Sequence, residues 1–459
     1  MKLTYNVDAK PGFGQILVFA FQQLLAIMAA TIAVPVIISG TYEGGAGEVS
    51  MSIGAALFGA GVGTIVYTLF TMRKSPVFLG SSFAFLGSMS AAFAGAVSAA
   101  AGFAGLLLGA IFAGLVYVVI AVIVKAAGVE WLNKLMPPVV IGPTVAIIGL
   151  ALAGNAVGDL KTANAGGHEL IAILCGLVTL LVVTLCSVYG SNKIKLIPFI
   201  IGILAGFALA AVFTAIGSAA GIPALMICDF SNITALWEGG VGLKTFLSVP
   251  DFTFIQAFKG FGDINGAYVG TIAAAYIPVA FVVFAEHVAD HKNISSIIEK
   301  DLLKDPGLDK TLLGDGIGSM AGAFFGGCPN TTYGESIACV AITGNASVIT
   351  IMCTACLAII ISFISPVIAF LSSIPSCVMG GVCMALYGFI AVSGLKMLQP
   401  VDLGNNHNLF TASTILIAGI GGLSLNFGAV TITTVATALI LGIIVNILLS
   451  GEKTSKSGK

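Results

Sequence analysis

Long apolar stretches separated by short polar connections run along almost the entire chain. A helix needs roughly 20 predominantly apolar residues to cross the hydrocarbon core of a bilayer, and by that measure the sequence predicts about fourteen membrane-spanning segments. Few residues are left over for a separate soluble domain. We therefore expect an all-α polytopic membrane protein.

Composition agrees with this pattern. Hydrophobic residues make up 58% of the 459 residues and charged residues only 8%, and the mean hydropathy is +1.08, far above that of a water-soluble chain. The nine cysteines lack metal or disulfide spacing, and a net charge of −1 offers no basic surface for nucleic acid. The expected surroundings are membrane lipid, with no resident cofactor, no metal and no nucleic-acid partner.

The distribution of lysine and arginine predicts the orientation. An even number of segments puts both termini on the same side of the membrane, and all but three of the 19 lysines and arginines fall on that side, the exceptions being Lys161, Lys244 and Lys259. Such an excess marks the cytoplasmic side. We expect a multi-pass protein of the cell membrane with both termini in the cytoplasm.

The two longest connections follow the seventh segment (residues 217–265) and the eighth (residues 289–315), and they divide the chain into two halves of seven. Because seven is odd, the halves enter the membrane from opposite sides, which is the topology of an inverted repeat. The third segment of each half begins alike, as LGSSFAFLGSMSAAFAGA (79–96) and CPNTTYGESIACVAITGNA (328–346). Both open with small polar residues and an aromatic, which predicts short β-strands interrupting segments 3 and 10. Irregular backbone at membrane depth must line a cavity or be buried in protein, so these segments indicate the binding site.

Two acids lie inside predicted segments, Glu286 in the eighth and Glu335 in the interrupted tenth. A charged side chain at the bilayer centre costs roughly 2.5–3.5 kcal/mol on insertion scales, so a function is expected for each. Asp290 follows Glu286 by one helical turn on the same face. Acids of this kind can gain and lose a proton as a cavity opens to either side, which predicts proton coupling through Glu286, Asp290 and Glu335. The alternatives are neutral, hydrogen-bonded glutamates and an Asp290 that caps a helix end in solvent.

His287 and His291 also stand one turn apart. A zinc site would need a third ligand and an open position, which the sequence does not offer. We expect His287 to face other parts of the protein and His291 to face the cytoplasmic surface.

Four stretches carry a family resemblance: QQLLAIMAATIAVPVI (22–37), LGSSFAF (79–85), FAEHVADH (284–291) and PNTTYGESIACVAITG (329–344). They resemble landmarks of the nucleobase and ascorbate transporter family, closest to its bacterial uracil permeases. The similarity runs nearly end to end. It implies a homodimer that works as an elevator, in which a core domain slides against a gate domain.

The resemblance also implies domain boundaries. The core domain would comprise segments 1–4 (residues 1–128) and 8–11 (266–371), and the gate domain segments 5–7 (129–222) and 12–14 (372–450). An extracellular connection (223–265) and a cytoplasmic tail (451–459) complete the chain.

Site residues follow from the resemblance position by position. Glu286 and Glu335 match the two acids that bind the base, Phe83 matches the aromatic of the third segment, Tyr333 and Gly334 match the strand before the second acid, and Tyr387 matches a tyrosine of the gate. The acid in TTYGES resembles the uracil branch. Uracil imported with a proton is the implied activity, and sodium is the alternative cation. Other possibilities are a xanthine or purine carrier, an anion carrier of the same architecture and an intramembrane enzyme.

Overall fold

The structure is a computed structural model that describes residues 3–128, 136–427 and 430–450. The predicted cytoplasmic tail (451–459) and the first residues of the predicted gate domain (129–135) lie outside these ranges. The helices in chain order are α1 (Phe13–Ile38), α2 (Ile53–Phe70), α3 (Leu86–Ala94), α4 (Ala99–Ala127), α5 (Pro138–Ala151), α6 (Ala153–Leu160), α7 (Glu169–Tyr189), α8 (Pro198–Ala220), α9 (Ser231–Thr234), α10 (Leu243–Phe246), α11 (Thr253–Gly260), α12 (Gly266–Ile298), α13 (Leu308–Gly326), α14 (Gly334–Thr343), α15 (Val348–Ser362), α16 (Ser365–Ser372), α17 (Ser376–Lys396), α18 (Asn406–Ile420) and α19 (Thr434–Leu449).

In the described ranges, six three-residue strands form three antiparallel pairs. The pairs are β1 (Gly40–Tyr42) with β2 (Gly47–Val49), β3 (Leu79–Ser81) with β4 (Asn330–Thr332), and β5 (Leu425–Phe427) with β6 (Val430–Ile432). Among these described strands, β3 and β4 are the pair that comes from distant parts of the chain. Short 3-10 turns, among them Phe83–Phe85 and Ile194–Leu196, connect several elements.

Within the described ranges, eight helical stretches are long and apolar enough to cross a membrane. They are α1, α2, α4, α5 continued by α6, α7, α8, α12 and α17. Their outer faces are apolar: α7 exposes Leu174, Leu177, Leu181 and Leu185 at helical spacing, the pattern of a surface that contacts lipid. The protein is a multi-pass membrane protein. The prediction of fourteen segments stays a prediction, because the remaining predicted segments correspond to helices that are shorter or, in α13, contain more charged residues.

The long helices pack in two groups. The first helix group contains α1, α2, α4, α12, α13 and α15, and the second contains α5 to α8 and α17 to α19. Close approach inside the first group depends on small residues. A Cβ added to Gly59 of α2 would overlap the carbonyl of Gly322 on α13, so the two backbones touch, as small residues allow in membrane proteins.

Two helices differ from the sequence prediction at their polar ends. The predicted eighth segment ends at residue 288, whereas α12 continues to Ile298; the predicted ninth begins at residue 316, whereas α13 begins at Leu308. His291 is therefore fully buried and not at the surface, which corrects the expectation stated above. Asp315, expected in a connection, is likewise buried inside α13. The polar residues have partners within the protein, so their polarity does not end the helices.

The polar N-terminal segment lies along the connection that follows α14. Thr4 N donates to Gly344 O at 2.8 Å, Ala346 N to Tyr5 O at 2.9 Å and Val348 N to Val7 O at 3.1 Å. Ser347 Oγ donates to Ala9 O at 2.7 Å. Backbone pairing of this kind fixes the segment against the end of α14.

Candidate functional site

The β3–β4 pair lies buried among the helices of the first group. Leu79 is opposite Thr332, Gly80 opposite Thr331 and Ser81 opposite Asn330, and all six residues are buried. Pairing continues past both ends, because Ser82 N donates to Pro329 O and Tyr333 N to Phe78 O. Extended backbone inside a membrane needs such partners, since lipid supplies none.

Side chains reinforce this strand pair. Ser336 Oγ accepts hydrogen bonds from Gln23 Nε2 at 2.5 Å and from the Phe78 amide at 3.0 Å. Tyr333 donates its hydroxyl to Ser81 O at 2.8 Å. Ser336 thus connects α1 and the start of β3 to the first turn of α14. This three-way contact joins residues that are remote in sequence and was not predicted.

We expect Gly80→Ala to destabilise the strand pair. A Cβ at Gly80 would overlap the buried ring of Tyr333, which is already fixed at its hydroxyl. Overpacking of a filled interior costs about 1–3 kcal/mol. Thermal unfolding of the purified protein in detergent measures the loss as a lower Tm. The matched control is Gly388→Ala, whose added Cβ would meet no atom within 4 Å. Equal Tm values for the two variants would contradict this account of Tyr333.

A cavity of about 600 Å³ opens beside the strand pair; we call it the carboxylate cavity. The residues that follow each strand line it: Ser82, Phe83 and Ala84 after β3, and Tyr333, Gly334 and Glu335 after β4. These residues begin two short helices. The first amides of a helix have no partner within the helix and carry its partial positive charge, so both helix starts bring hydrogen-bond donors to one cavity.

Three carboxylates line the same cavity. Glu286 and Asp290 lie one turn apart on α12, and Glu335 stands in the first turn of α14. All three are half-buried. Thr332 donates its hydroxyl to Asp290 Oδ2 at 2.7 Å, so Asp290 is fixed by β4 within the helix and does not cap a helix end.

Two hydroxyls at the cavity wall have no hydrogen-bond partner in the described part of the chain. They are Ser82 Oγ and Thr331 Oγ1, and both side chains are buried. Because a buried polar group without a partner is unfavourable, these hydroxyls suit a polar solute. Donors, acceptors and carboxylates therefore converge on one region.

The second helix group supplies the opposite wall. That wall is mainly apolar, with two lysines, and its members include Val145, Ile148, Phe199, Leu386, Phe389, Lys195 and Lys396. Tyr387 of α17 does not line the cavity. Its ring meets the Phe83 ring edge to face, with the centroids 5.9 Å apart.

The structure brings most of the predicted site residues together. One cavity is lined by six of them: Glu286, Asp290, Glu335, Phe83, Tyr333 and Gly334. The seventh, Tyr387, packs against the Phe83 ring and does not line the cavity. The cavity is also lined by Ser82, Thr331 and Thr332, which were not among the predicted residues, although the two threonines stand directly before Tyr333 in the recognised motif. Two further lining residues, Lys195 and Lys396, have no local sequence pattern that could have identified them.

Both histidines of α12 are used inside the protein. His287 Nδ1 lies 2.7 Å from Asp315 Oδ2 and its Nε2 lies 3.0 Å from Thr311 Oγ1, as expected for a histidine that faces protein. His291 Nε2 lies 2.7 Å from the Tyr67 hydroxyl. In the part of the chain that is described, no three His, Cys, Asp or Glu side chains are placed to hold a metal ion.

Comparison with known proteins gives consistent results. The model of a permease family (Xan_ur_permease) matches residues 14–428. The chain is 36% identical to the uracil permease of Bacillus caldolyticus over 454 residues, which cover 98% of this chain and 96% of that protein. It is 33% identical to the uracil permease of Escherichia coli (strain K12) over 443 residues, 95% of this chain and 92% of that protein.

The fold of this chain is similar to that of solved membrane transporter structures. The transmembrane domain of the cyanobacterial bicarbonate transporter BicA matches with a TM-score of 0.54 at 16% identity, over 95% of this chain and 99% of that one. SLC26A9 matches with a TM-score of 0.60 at 10% identity, over 95% of this chain and 64% of that one. At such identities the likeness concerns the fold alone.

Proposed function

This chain belongs to the permease family, as its sequence motifs indicated, and from that premise we propose that it is a secondary active transporter that imports a nucleobase, first of all uracil, together with a cation. As a permease it is a transport protein and not an enzyme. The observation that carries the proposal is the carboxylate cavity, which brings Glu286 and Glu335 together with the starts of two helices. The names of the similar uracil permeases support the choice of substrate.

The chemistry of a pyrimidine-dione fits this cavity. Its ring presents two N–H donors and two carbonyl acceptors. Glu286 and Glu335 accept from the ring N–H groups, while the amides of Phe83, Gly334 and Glu335 donate to the carbonyls. The rings of Phe83 and Tyr333 provide flat apolar contacts. Tyr387 acts through Phe83, against which it packs.

Proton coupling is assigned to Glu286, Asp290 and Glu335. Each is half-buried at the cavity wall, so each exchanges a proton with whichever compartment the cavity faces. The Thr332 hydroxyl holds Asp290 in place through its hydrogen bond to Oδ2. Sodium is the alternative cation, and gradients imposed separately distinguish the two.

We further propose the architecture that the resemblance implies: fourteen segments in a seven-plus-seven inverted repeat, a homodimer, and both termini in the cytoplasm. The first helix group would be the core domain (1–128 and 266–371) and the second the gate domain (129–222 and 372–450). Their separate packing supports this division. The strand pair belongs wholly to the core, so an elevator movement carries both helix starts past the apolar gate wall together.

Two other substrates remain for comparison. Xanthine and other purines are candidates within the same family. An anion is opposed by the three carboxylates of the cavity wall, although Lys195 and Lys396 stand in the same wall. The fold shared with BicA does not favour an anion here, because its identity to this chain is only 16%.

We expect purified protein in proteoliposomes to accumulate radiolabelled uracil when the outside is made acidic relative to the inside. Unlabelled uracil should compete, and xanthine, uric acid and bicarbonate should compete poorly. The control is the same vesicles with a proton ionophore, in which accumulation disappears. If a sodium gradient alone drives accumulation, sodium and not the proton is the coupled cation. If xanthine competes better than unlabelled uracil, xanthine and not uracil is the preferred substrate.

A further inference from the structure

A second cavity of about 300 Å³ adjoins the carboxylate cavity; we call it the hydroxyl cavity. Phe83, Ala84 and Ile148 line both. These three residues therefore form the partition between the two spaces. Phe83 and Ala84 follow β3, which is buried in the first helix group, and Ile148 lies on α5 of the second group. The partition therefore lies where the two helix groups meet.

The chemistry of the hydroxyl cavity differs from that of its neighbour. Among the described residues that line it, none is charged; the hydroxyls of Ser88, Ser424, Thr433 and Thr434 stand among apolar side chains. Thr433 Oγ1 is buried and has no hydrogen-bond partner in the described ranges. Ser88 Oγ donates to Ala275 O at 2.7 Å, which leaves its own oxygen free to accept. An uncharged polar molecule fits such a lining, whereas an ion would lose its hydration without compensation.

The two cavities extend toward different ends of the helices. The carboxylate cavity reaches exposed Ser393 and Lys396 at the end of α17. The hydroxyl cavity reaches exposed Ser424, next to the β5–β6 pair. In the predicted topology, Lys396 is on the side of the termini, and the connection between the last two segments is on the other side. A path from one side of the membrane to the other therefore runs through both cavities and is interrupted at Phe83.

We propose that the hydroxyl cavity is an outer binding site for the same uncharged ring that the carboxylate cavity takes, and that the Phe83 side chain separates the two sites. This inference rests on the proposed function. Phe83 is 9% exposed, and its ring meets the Tyr387 ring edge to face, so a solute passes only when the first helix group moves relative to the second.

Gly87 allows the hydroxyl cavity to be filled without a backbone clash. It lines that cavity but not the carboxylate cavity, and an added Cβ would meet no atom within 4 Å. Gly87→Leu should therefore occupy the space that the solute needs. Gly388→Leu is the matched control, since Gly388 is exposed, lines neither cavity, and has equally open surroundings.

The experiment compares uptake and binding of radiolabelled uracil. Gly87→Leu should reduce the initial rate of uptake into proteoliposomes by about tenfold or more. It should also lower the number of uracil molecules bound at saturation by the detergent-purified protein from two per chain to one, the one held in the carboxylate cavity. Gly388→Leu should match wild type in both. Val435→Phe, which fills the same cavity from α19, should reproduce the Gly87→Leu result.

The outcomes separate the two proposals. If wild type neither binds nor transports a nucleobase, the proposed function fails. If wild type transports uracil and Gly87→Leu transports it equally fast, the hydroxyl cavity is not on the path. If Gly87→Leu and Val435→Phe both lose all equilibrium binding as well as uptake, or bind as many uracil molecules per chain as wild type, the hydroxyl cavity is not a separate site. Either of the last two results overturns the inference.

Discussion

We expect Glu335→Gln to abolish uracil uptake in proteoliposomes while the protein stays folded. Glu335 begins α14, lines the carboxylate cavity, and is half-buried there. A carboxylate accepts a charge-assisted hydrogen bond from a ring N–H, and glutamine replaces that acceptor with a weaker, neutral one. Loss of one hydrogen bond to a charged group weakens binding by about ten- to a hundredfold, and the variant also loses a group that can carry a proton.

The measurement is initial uptake together with equilibrium binding, with the Tm as a test of folding. Glu238→Gln is the control because Glu238 is exposed and lies outside the cavity. It should behave as wild type. Normal uptake by Glu335→Gln would show that Glu335 does not bind the base, and it would contradict the orientation proposed for the base.

Glu286→Gln should lose uphill accumulation of uracil driven by a proton gradient. Glu286 shares the cavity wall with Asp290 and Glu335, and glutamine can neither bind nor release the transported proton. Accumulation should fall to the level of wild type treated with an ionophore, a loss of about a hundredfold if binding is weakened as well.

The informative readout for Glu286→Gln is the dependence of uptake on external pH. Wild-type uptake should rise as the outside becomes more acidic, because the inward proton gradient grows. The variant should show a flat profile. A profile with the wild-type slope would assign the coupling to Asp290 or Glu335 and not to Glu286. Glu48→Gln, an exposed position in β2, is a matched control.

Much of the site could be predicted from the sequence because its signals are local. Long apolar runs predicted the spanning helices, and two acids inside such runs predicted a polar cavity. The residues around Phe83 and Glu335 were recognisable as short motifs within one segment each. In the structure these two motifs meet at the β3–β4 pair, and their acids and aromatics line one cavity.

The helix ends could not be predicted because their partners are remote in sequence. His291 bonds to Tyr67, 224 positions away, and Ser336 bonds to Gln23, 313 positions away. When these contacts are unknown, a stretch rich in histidine and aspartate predicts the end of a membrane helix and the start of a solvent-exposed connection. The contacts compensate the buried polar groups, so α12 runs on for ten residues past the predicted end.

The apolar wall and the partition at Phe83 were equally hidden. They arise where α5 and α17 approach the strand pair. The pattern of apolar residues within one segment does not indicate which face of a helix will contact the other helix group. Lys195 and Lys396 illustrate this, since both lie near helix ends that looked like ordinary cytoplasmic connections, yet both reach the carboxylate cavity.

The backbone pairing of residues 4–9 with residues 344–348 has a practical consequence for expression vectors. An affinity tag joined directly to the amino end would compete with the pairing that borders α14, the helix that carries Glu335. Purification handles therefore belong at the opposite terminus or behind a flexible spacer. Kinetic data from variants trimmed at the amino end would reflect a disturbed binding helix and not only a shortened chain.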